Sequence, residues 1–140
     1  MHRLLVLLLL SLPAFAQTLV EVTTVAAISS SLDASVRLPT GSYRAGKGSE
    51  LILARMPDAA KFNLEVFAAK GVAARLQPAF IQQVLTSFAA AGYLLEGQQE
   101  RSVNGEVQTR YNLSDASGKP AVLFVVRKGD ELVYAFGKAK

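Results

Sequence analysis

Pro78-Ala79-Phe80-Ile81-Gln82-Gln83-Val84-Leu85-Thr86-Ser87-Phe88-Ala89-Ala90-Ala91 decides the architecture. Phe80, Ile81, Val84, Leu85, Phe88 and Ala91 recur at helical spacing on one face, and Gln82, Gln83 and Thr86 fall opposite. An amphipathic helix over 78–91 follows, and it needs a partner layer for its apolar face. Pro78 suits the first helical turn, Leu76 is placed to staple onto Ile81, and Gly92 can supply the left-handed residue that stops the helix.

Downstream the period changes from helical to alternating. Turn signals stand at Asn104-Gly105, Ser117-Gly118-Lys119-Pro120 and Lys128-Gly129-Asp130, dividing the remainder into four strands. Val107, Thr109, Tyr111 and Leu113 alternate with Glu106, Gln108, Arg110 and Asn112, the pattern of a strand with one buried and one wet face. A two-residue Asn104-Gly105 turn would set apolar positions of one strand against polar positions of its neighbour. A three-residue loop, Val103-Asn104-Gly105 with Gly105 left-handed, would instead pair Leu113 with Leu95 and Tyr111 with Gly97, and is the expected connection. Ala121 to Val126 and Leu132 to Phe136 are almost wholly apolar, so the last two strands are expected to be covered on both faces. The N-terminal segment or a dimer partner could provide the second cover.

Upstream the pattern is mixed. Val22, Val25, Ile28, Leu32 and Val36 have helical spacing, yet Val20-Glu21-Val22-Thr23 also reads as a strand, so residues 19–38 stay open between helix and strand until Pro39-Thr40-Gly41 ends the element. Residues 41–48 read as a basic glycine-rich loop, Glu50 to Met56 as a mostly buried strand, Pro57-Asp58 as a turn, and Lys61 to Phe67 as an alternating strand able to form a hairpin with it. The expected fold is α+β: one amphipathic helix packed on a four-stranded or larger antiparallel sheet, preceded by an N-terminal helix or strand and a β-hairpin. Over residues 78–137 the order of helix then four strands looks like cystatin-type or PepSY-type arrangements of exported proteins, a likeness of architecture that implies no active site.

Residues 1–16 carry an address. Met1-His2-Arg3 is a short basic start, Leu4 to Leu12 is nearly all leucine, and Pro13-Ala14-Phe15-Ala16 ends with the small residues that an exported-protein peptidase reads. Cleavage is expected after Ala16, giving a soluble periplasmic or secreted domain of residues 17–140, because the apolar run is shorter than the roughly 18 to 20 residues that span a bilayer.

The composition of that domain excludes many chemistries. Cysteine is absent, and the one histidine of the 140-residue chain is His2, inside the leader. Imidazole bases, catalytic triads, cysteine nucleophiles, disulfides, histidine-ligated haem and Cys- or His-ligated metals therefore have no side chains to work with. No cofactor and no metal site are expected. The full chain has 15 basic and 11 acidic residues, and only Arg3 leaves with the leader, so the mature net charge is +3. These charges are dispersed, which argues against nucleic acid as a partner.

Gly41-Ser42-Tyr43-Arg44-Ala45-Gly46-Lys47-Gly48 imitates a phosphate-binding loop through Lys47, but Gly48 stands where a magnesium-binding Ser or Thr belongs, and the expected strand after it lacks helix N-terminal amides. Arg44 and Lys47 remain as a possible anion or partner contact. Phe80, Phe88 and Tyr111 could line an apolar pocket between helix and sheet. Glu96, Glu100, Glu106, Asp130 and Glu131 are the carboxylates that a histidine-free hydrolase would draw on, although the three glutamates fall on expected wet faces. Asn112-Leu113-Ser114 has the form of a glycosylation sequon but lies within an expected strand. The function that these features favour is a non-enzymatic exported domain binding a protein or a cell-envelope component, with homodimerisation possible. A carrier or sensor of a small apolar ligand is the alternative, and a carboxylate hydrolase a more distant one.

Overall fold

The computed structural model describes residues 19–140. The expected leader and the expected cleavage after Ala16 lie outside the described residues.

Seven strands form one antiparallel sheet: β1 (Glu21–Ala26), β2 (Ser42–Gly46), β3 (Phe62–Ala69), β4 (Leu94–Val103), β5 (Glu106–Ser114), β6 (Pro120–Lys128) and β7 (Glu131–Ala139). Their lateral order is β1-β2-β3-β7-β6-β5-β4, so β1 and β4 are the two edges. Helix α1 (Gly48–Arg55) and helix α2 (Gln77–Ala90) complete an α+β fold. The four strands expected after the long helix are present, as one part of this larger sheet.

Because side chains alternate across a strand, the central strands β3, β7 and β6 feed two cores. On one face α2 lays Phe80, Ile81, Val84 and Phe88 against Phe67, Leu123, Tyr134 and Phe136. On the other, Leu51 and Ile52 of α1, with Met56 and Ala59 behind them, cover Val66, Val122, Phe124 and Val133. The last two strands are thus covered on both faces, as their continuous apolar runs require. Val20 and Leu19 add to the second cover, but most of it comes from α1 and the turn after it.

That helix corrects the reading of Glu50 to Met56 as a strand. An unbroken apolar run has no period of its own, and burial decides: Gly48, Leu51 and Ile52 face the sheet at helical spacing, while Leu53 is 54% exposed. Glu50 in the first turn and Arg55 in the last also suit the helix dipole. The expected hairpin of residues 50–56 with 61–67 therefore does not form; β3 pairs with β2 and β7 instead. Residues 42–46, expected to be loop, form β2, with Ser42 on Ala69 and Arg44 on Phe67.

Residues 19–38 are not helical. β1 occupies Glu21–Ala26, and irregular chain tied by a single Ser29–Arg37 bridge follows, placing Ala27, Val36 and Leu38 in the α2-side core. The buried Glu65 anchors this segment, accepting hydrogen bonds from the Ser30 hydroxyl, the Ser31 amide and Arg44. Burial pushes the Glu65 carboxyl up, but these three donors outweigh it and hold the pKa below the ordinary value.

Gly92 does close α2 in a left-handed conformation, at φ +91°. Leu76, expected to staple onto Ile81, is left 45% exposed. The β4–β5 connection also differs from expectation. Asn104 and Gly105 both have positive φ, 52° and 77°, and Val103 pairs with Glu106, so the turn has two residues. A bulge between Leu95 and Gly97 absorbs the offset: Leu95 still meets Leu113, but Tyr111 meets Gln98 rather than Gly97. The mismatch of apolar and polar faces that argued against this turn costs little, because β4 is exposed along almost its whole length.

Candidate functional site

β4 is a ten-residue edge strand with no neighbour on its outer side among the described residues. In a two-residue hairpin the residues flanking the turn form a hydrogen-bonded pair, and such pairs recur at every second position. Val103, Arg101 and Gln99 therefore direct their amides and carbonyls to Glu106, Gln108 and Arg110. Ser102, Glu100 and Gln98 direct theirs away from the sheet, as a row of free donors and acceptors.

Each face beside this row carries a pocket. On the α2 face an open groove of about 360 Å³ runs between helix and edge, floored by Leu85, Ala89, Leu95 and Leu113 and rimmed by Gln82 and Gln98. Leu95 is 50% exposed there, and its neighbour Leu94 is also exposed. On the opposite face a smaller pocket of about 220 Å³ lies over Phe124, walled by Arg55, Arg101, Arg110, Gln99, Glu100 and Gln108.

Two of these arginines are neutralised. Arg55 holds Glu106 through Nε at 2.6 Å and Nη2 at 2.9 Å, and Arg110 holds Asp58 through Nη1 at 2.6 Å and Nη2 at 2.9 Å. These bidentate pairs keep the Glu106 and Asp58 carboxyls below their ordinary pKa values, while the bond to Glu106 raises that of Arg55. Arg101 is different: its Nε donates to Gln108 Oε1 at 2.8 Å and its Nη2 to the Arg55 carbonyl at 3.2 Å, both neutral acceptors. It is exposed at the strand edge with its orientation fixed.

Glu106 and Gln108, expected on a wet strand face, are buried, because α1 brings Arg55 over them. The other carboxylates are dispersed and separately engaged. Glu96 accepts from Ser114, Glu100 from Thr109, Asp130 from the Ala74 amide and Glu131 from the Leu19 amide. Among the described residues no group of three or more acidic or other metal-binding side chains converges, and no helix is long and apolar enough to cross a membrane.

The remaining sequence candidates fall elsewhere. Arg44 lies on the α2 side, bound to Glu65 and 5.6 Å from the Phe67 ring centroid. Lys47 precedes α1 with φ 57° and lines a broad concavity of about 720 Å³ with Glu21, Glu50 and Lys128, on the α1 side. The two therefore do not share a site. A helix does follow Lys47, contrary to expectation, but β2 occupies residues 42–46, so their amides serve a strand rather than a phosphate cradle. Phe80, Phe88 and Tyr111 are buried in the α2-side core; the Phe88 ring packs edge-on against Phe136 and Tyr93 at 4.7 and 5.5 Å between centroids. Asn112-Leu113-Ser114 ends β5, paired on both sides.

The β4 edge was not singled out from sequence. The available signal was the run Glu96-Gly97-Gln98-Gln99-Glu100-Arg101, too polar for an interior strand of a sheet covered on both faces. Neither a protein family, nor a curated protein, nor a solved structure gives a significant match to the chain.

Proposed function

We propose that the mature chain is an exported, non-enzymatic binding domain that takes an extended segment of a protein partner onto the β4 edge. One observation carries this reading: free backbone groups at Gln98, Glu100 and Ser102 run between a pocket on each face of the sheet. An added strand gains affinity from main-chain hydrogen bonds and specificity from alternate side chains entering the two pockets. The leader-like residues 1–16 support export, and the likeness of residues 78–137 to cystatin-type and PepSY-type element order serves as an analogy of architecture only. The apolar floor of the α2-side groove also favours a second reading, a small apolar ligand held there.

The test is site-specific photo-crosslinking of the full chain in the cells that produce it, with the reactive group at Gln99 on the edge or at Leu53 on the exposed side of α1. A discrete protein adduct from Gln99, absent from Leu53 and lost in Gln98→Pro, supports the proposal, since proline deletes an outward amide at an edge position where it is tolerated. Equal adducts from both positions, or an adduct indifferent to Gln98→Pro, contradict it. Intact mass of the same material tests export through a mature start at Gln17.

A further inference from the structure

The two pockets beside β4 differ in chemistry, and that difference specifies the segment which would fill them. From the edge-binding reading, we infer that the partner segment alternates apolar and acidic residues, the apolar ones entering the α2-side groove and an acidic one meeting Arg101.

In an antiparallel ladder the added strand shares the pleat of its neighbour, so its residues opposite Gln98 point to the α2 side and those opposite Gln99 and Arg101 to the α1 side. On the α2 side they meet Leu85, Leu95 and Leu113, with Gln82 and Gln98 at the rim; the Thr86 and Tyr93 hydroxyls of the same groove already donate to the Gln82 carbonyl and to Asp33. Burying an apolar side chain there contributes through area removed from water.

On the α1 side the position next to the edge is Arg101. Arg55 and Arg110 already hold carboxylates bidentately, so a ligand gains little from them. Arg101 has only the neutral Gln108 oxygen and a backbone carbonyl. These bonds employ its Nε and Nη2 and fix the plane of the guanidinium, leaving Nη1 for an incoming acceptor. A carboxylate there would make a charge-assisted bond to a group whose ordering is already complete. The acids of β4 do not oppose it at this position. Glu100 contributes to the lining of the Arg101 pocket, but its carboxylate is engaged on the other face by Thr109, with Arg127 3.9 Å away, and Glu96 lies beyond Gly97 on Ser114. Complementary charge therefore selects an acidic residue at the Arg101 position and none near Glu96.

The experiment uses the proposed mature chain, residues 17–140, and three synthetic peptides of one length, Thr-Val-Glu-Val-Glu-Val-Thr and its versions with Ser or Lys in place of both Glu. Amide shifts of uniformly ¹⁵N-labelled protein are followed during titration, beside sedimentation of the protein alone. The inference expects the Glu peptide to bind at least about tenfold tighter than the Ser peptide, with shifts at Gln98, Glu100 and Ser102, the Lys peptide weakest, and the preference reversed in Arg101→Glu. Equal binding of all three at β4 overturns the acidic requirement while leaving the edge reading intact. Shifts confined to the α2-side groove without the β4 amides, or no binding of any peptide, overturn both. A dimer in which the β4 amides are already paired would assign the edge to a second copy of the chain and overturn the inference equally. Arg101→Gln keeps the neutral hydrogen bonding and should lose the Glu preference without losing the fold.

Discussion

Gly48→Ala is the substitution that separates the helical account of residues 48–55 from the strand that their apolar run suggests. Gly48 opens α1, is buried, and sits directly over β3, so that an added Cβ would lie 2.6 Å from Val66 Cβ and closer still to one of its methyl groups. Helix propensity alone makes alanine better than glycine by about 0.5 to 1 kcal/mol. The steric conflict acts the other way: the helix must rise off the sheet or Val66 must leave its rotamer, at about 1 to 3 kcal/mol for overpacking of this kind. The net expectation is a loss of up to about 2.5 kcal/mol, centred on about 1 kcal/mol, which is roughly 3 to 5 °C in Tm for a domain of this size. Val66→Ala alone removes buried methyl groups and should cost about 1.5 to 3 kcal/mol. The double variant restores room for the new Cβ, so the two changes should be less than additive by about 1 to 2 kcal/mol. Urea unfolding of the four proteins, read by circular dichroism, measures every term. Strict additivity in the cycle would refute the placement of α1 on Val66.

Three further expectations concern charge and the polar anchors. Glu65→Gln keeps the shape of the Ser30 and Ser31 anchor but removes its charge, and should lower unfolding free energy by about 1 to 3 kcal/mol in urea titration, with Arg44 contributing little because it is partly exposed. Glu65, Glu106 and Asp58 all have folded pKa values below their ordinary 4.5, 4.5 and 3.8, so their stabilisation is complete above about pH 5 and is lost as pH falls through the folded values; unfolding followed from pH 6 to pH 2 should show a steepening decline below pH 4.5. The same titration of Glu65→Gln should decline less steeply, since one of the three groups no longer binds a proton on unfolding.

What could be read from the sequence follows period and punctuation. Helix α2 and strands β3 to β7 announce themselves because each has a clean alternation or a turn signal at its ends, such as Pro57-Asp58 or Lys128-Gly129-Asp130. Leu51-Ile52-Leu53-Ala54 has neither, since a segment apolar on all sides reads alike as a buried strand or a short helix, and only the need of β6 and β7 for a second cover selects α1. Asn104-Gly105 marked the position of the turn but not its two-residue type, because matching of apolar faces favours a three-residue loop unless a bulge lies between Leu95 and Gly97, for which Gly97 inside a strand was the available signal. For the site, residue types pointed to Arg44 and Lys47, which the fold separates across the sheet. The edge row depends on main-chain direction and strand order, which side-chain identity does not encode; Arg101 became notable only once Arg55 and Arg110 were seen to have carboxylate partners and it was not.

The central claim is that β4 is a receptive edge, and residue-resolved amide hydrogen exchange tests it most directly, on the ¹⁵N-labelled chain alone and after mixing with envelope extract from its own cells. The account predicts alternation in the free protein, with Gln98, Glu100 and Ser102 exchanging fast and Gln99 and Arg101 slowly, followed by protection of the fast three in the extract. Uniform protection along β4 in the free chain, or protection that appears in the extract at β1 and not at β4, would contradict it.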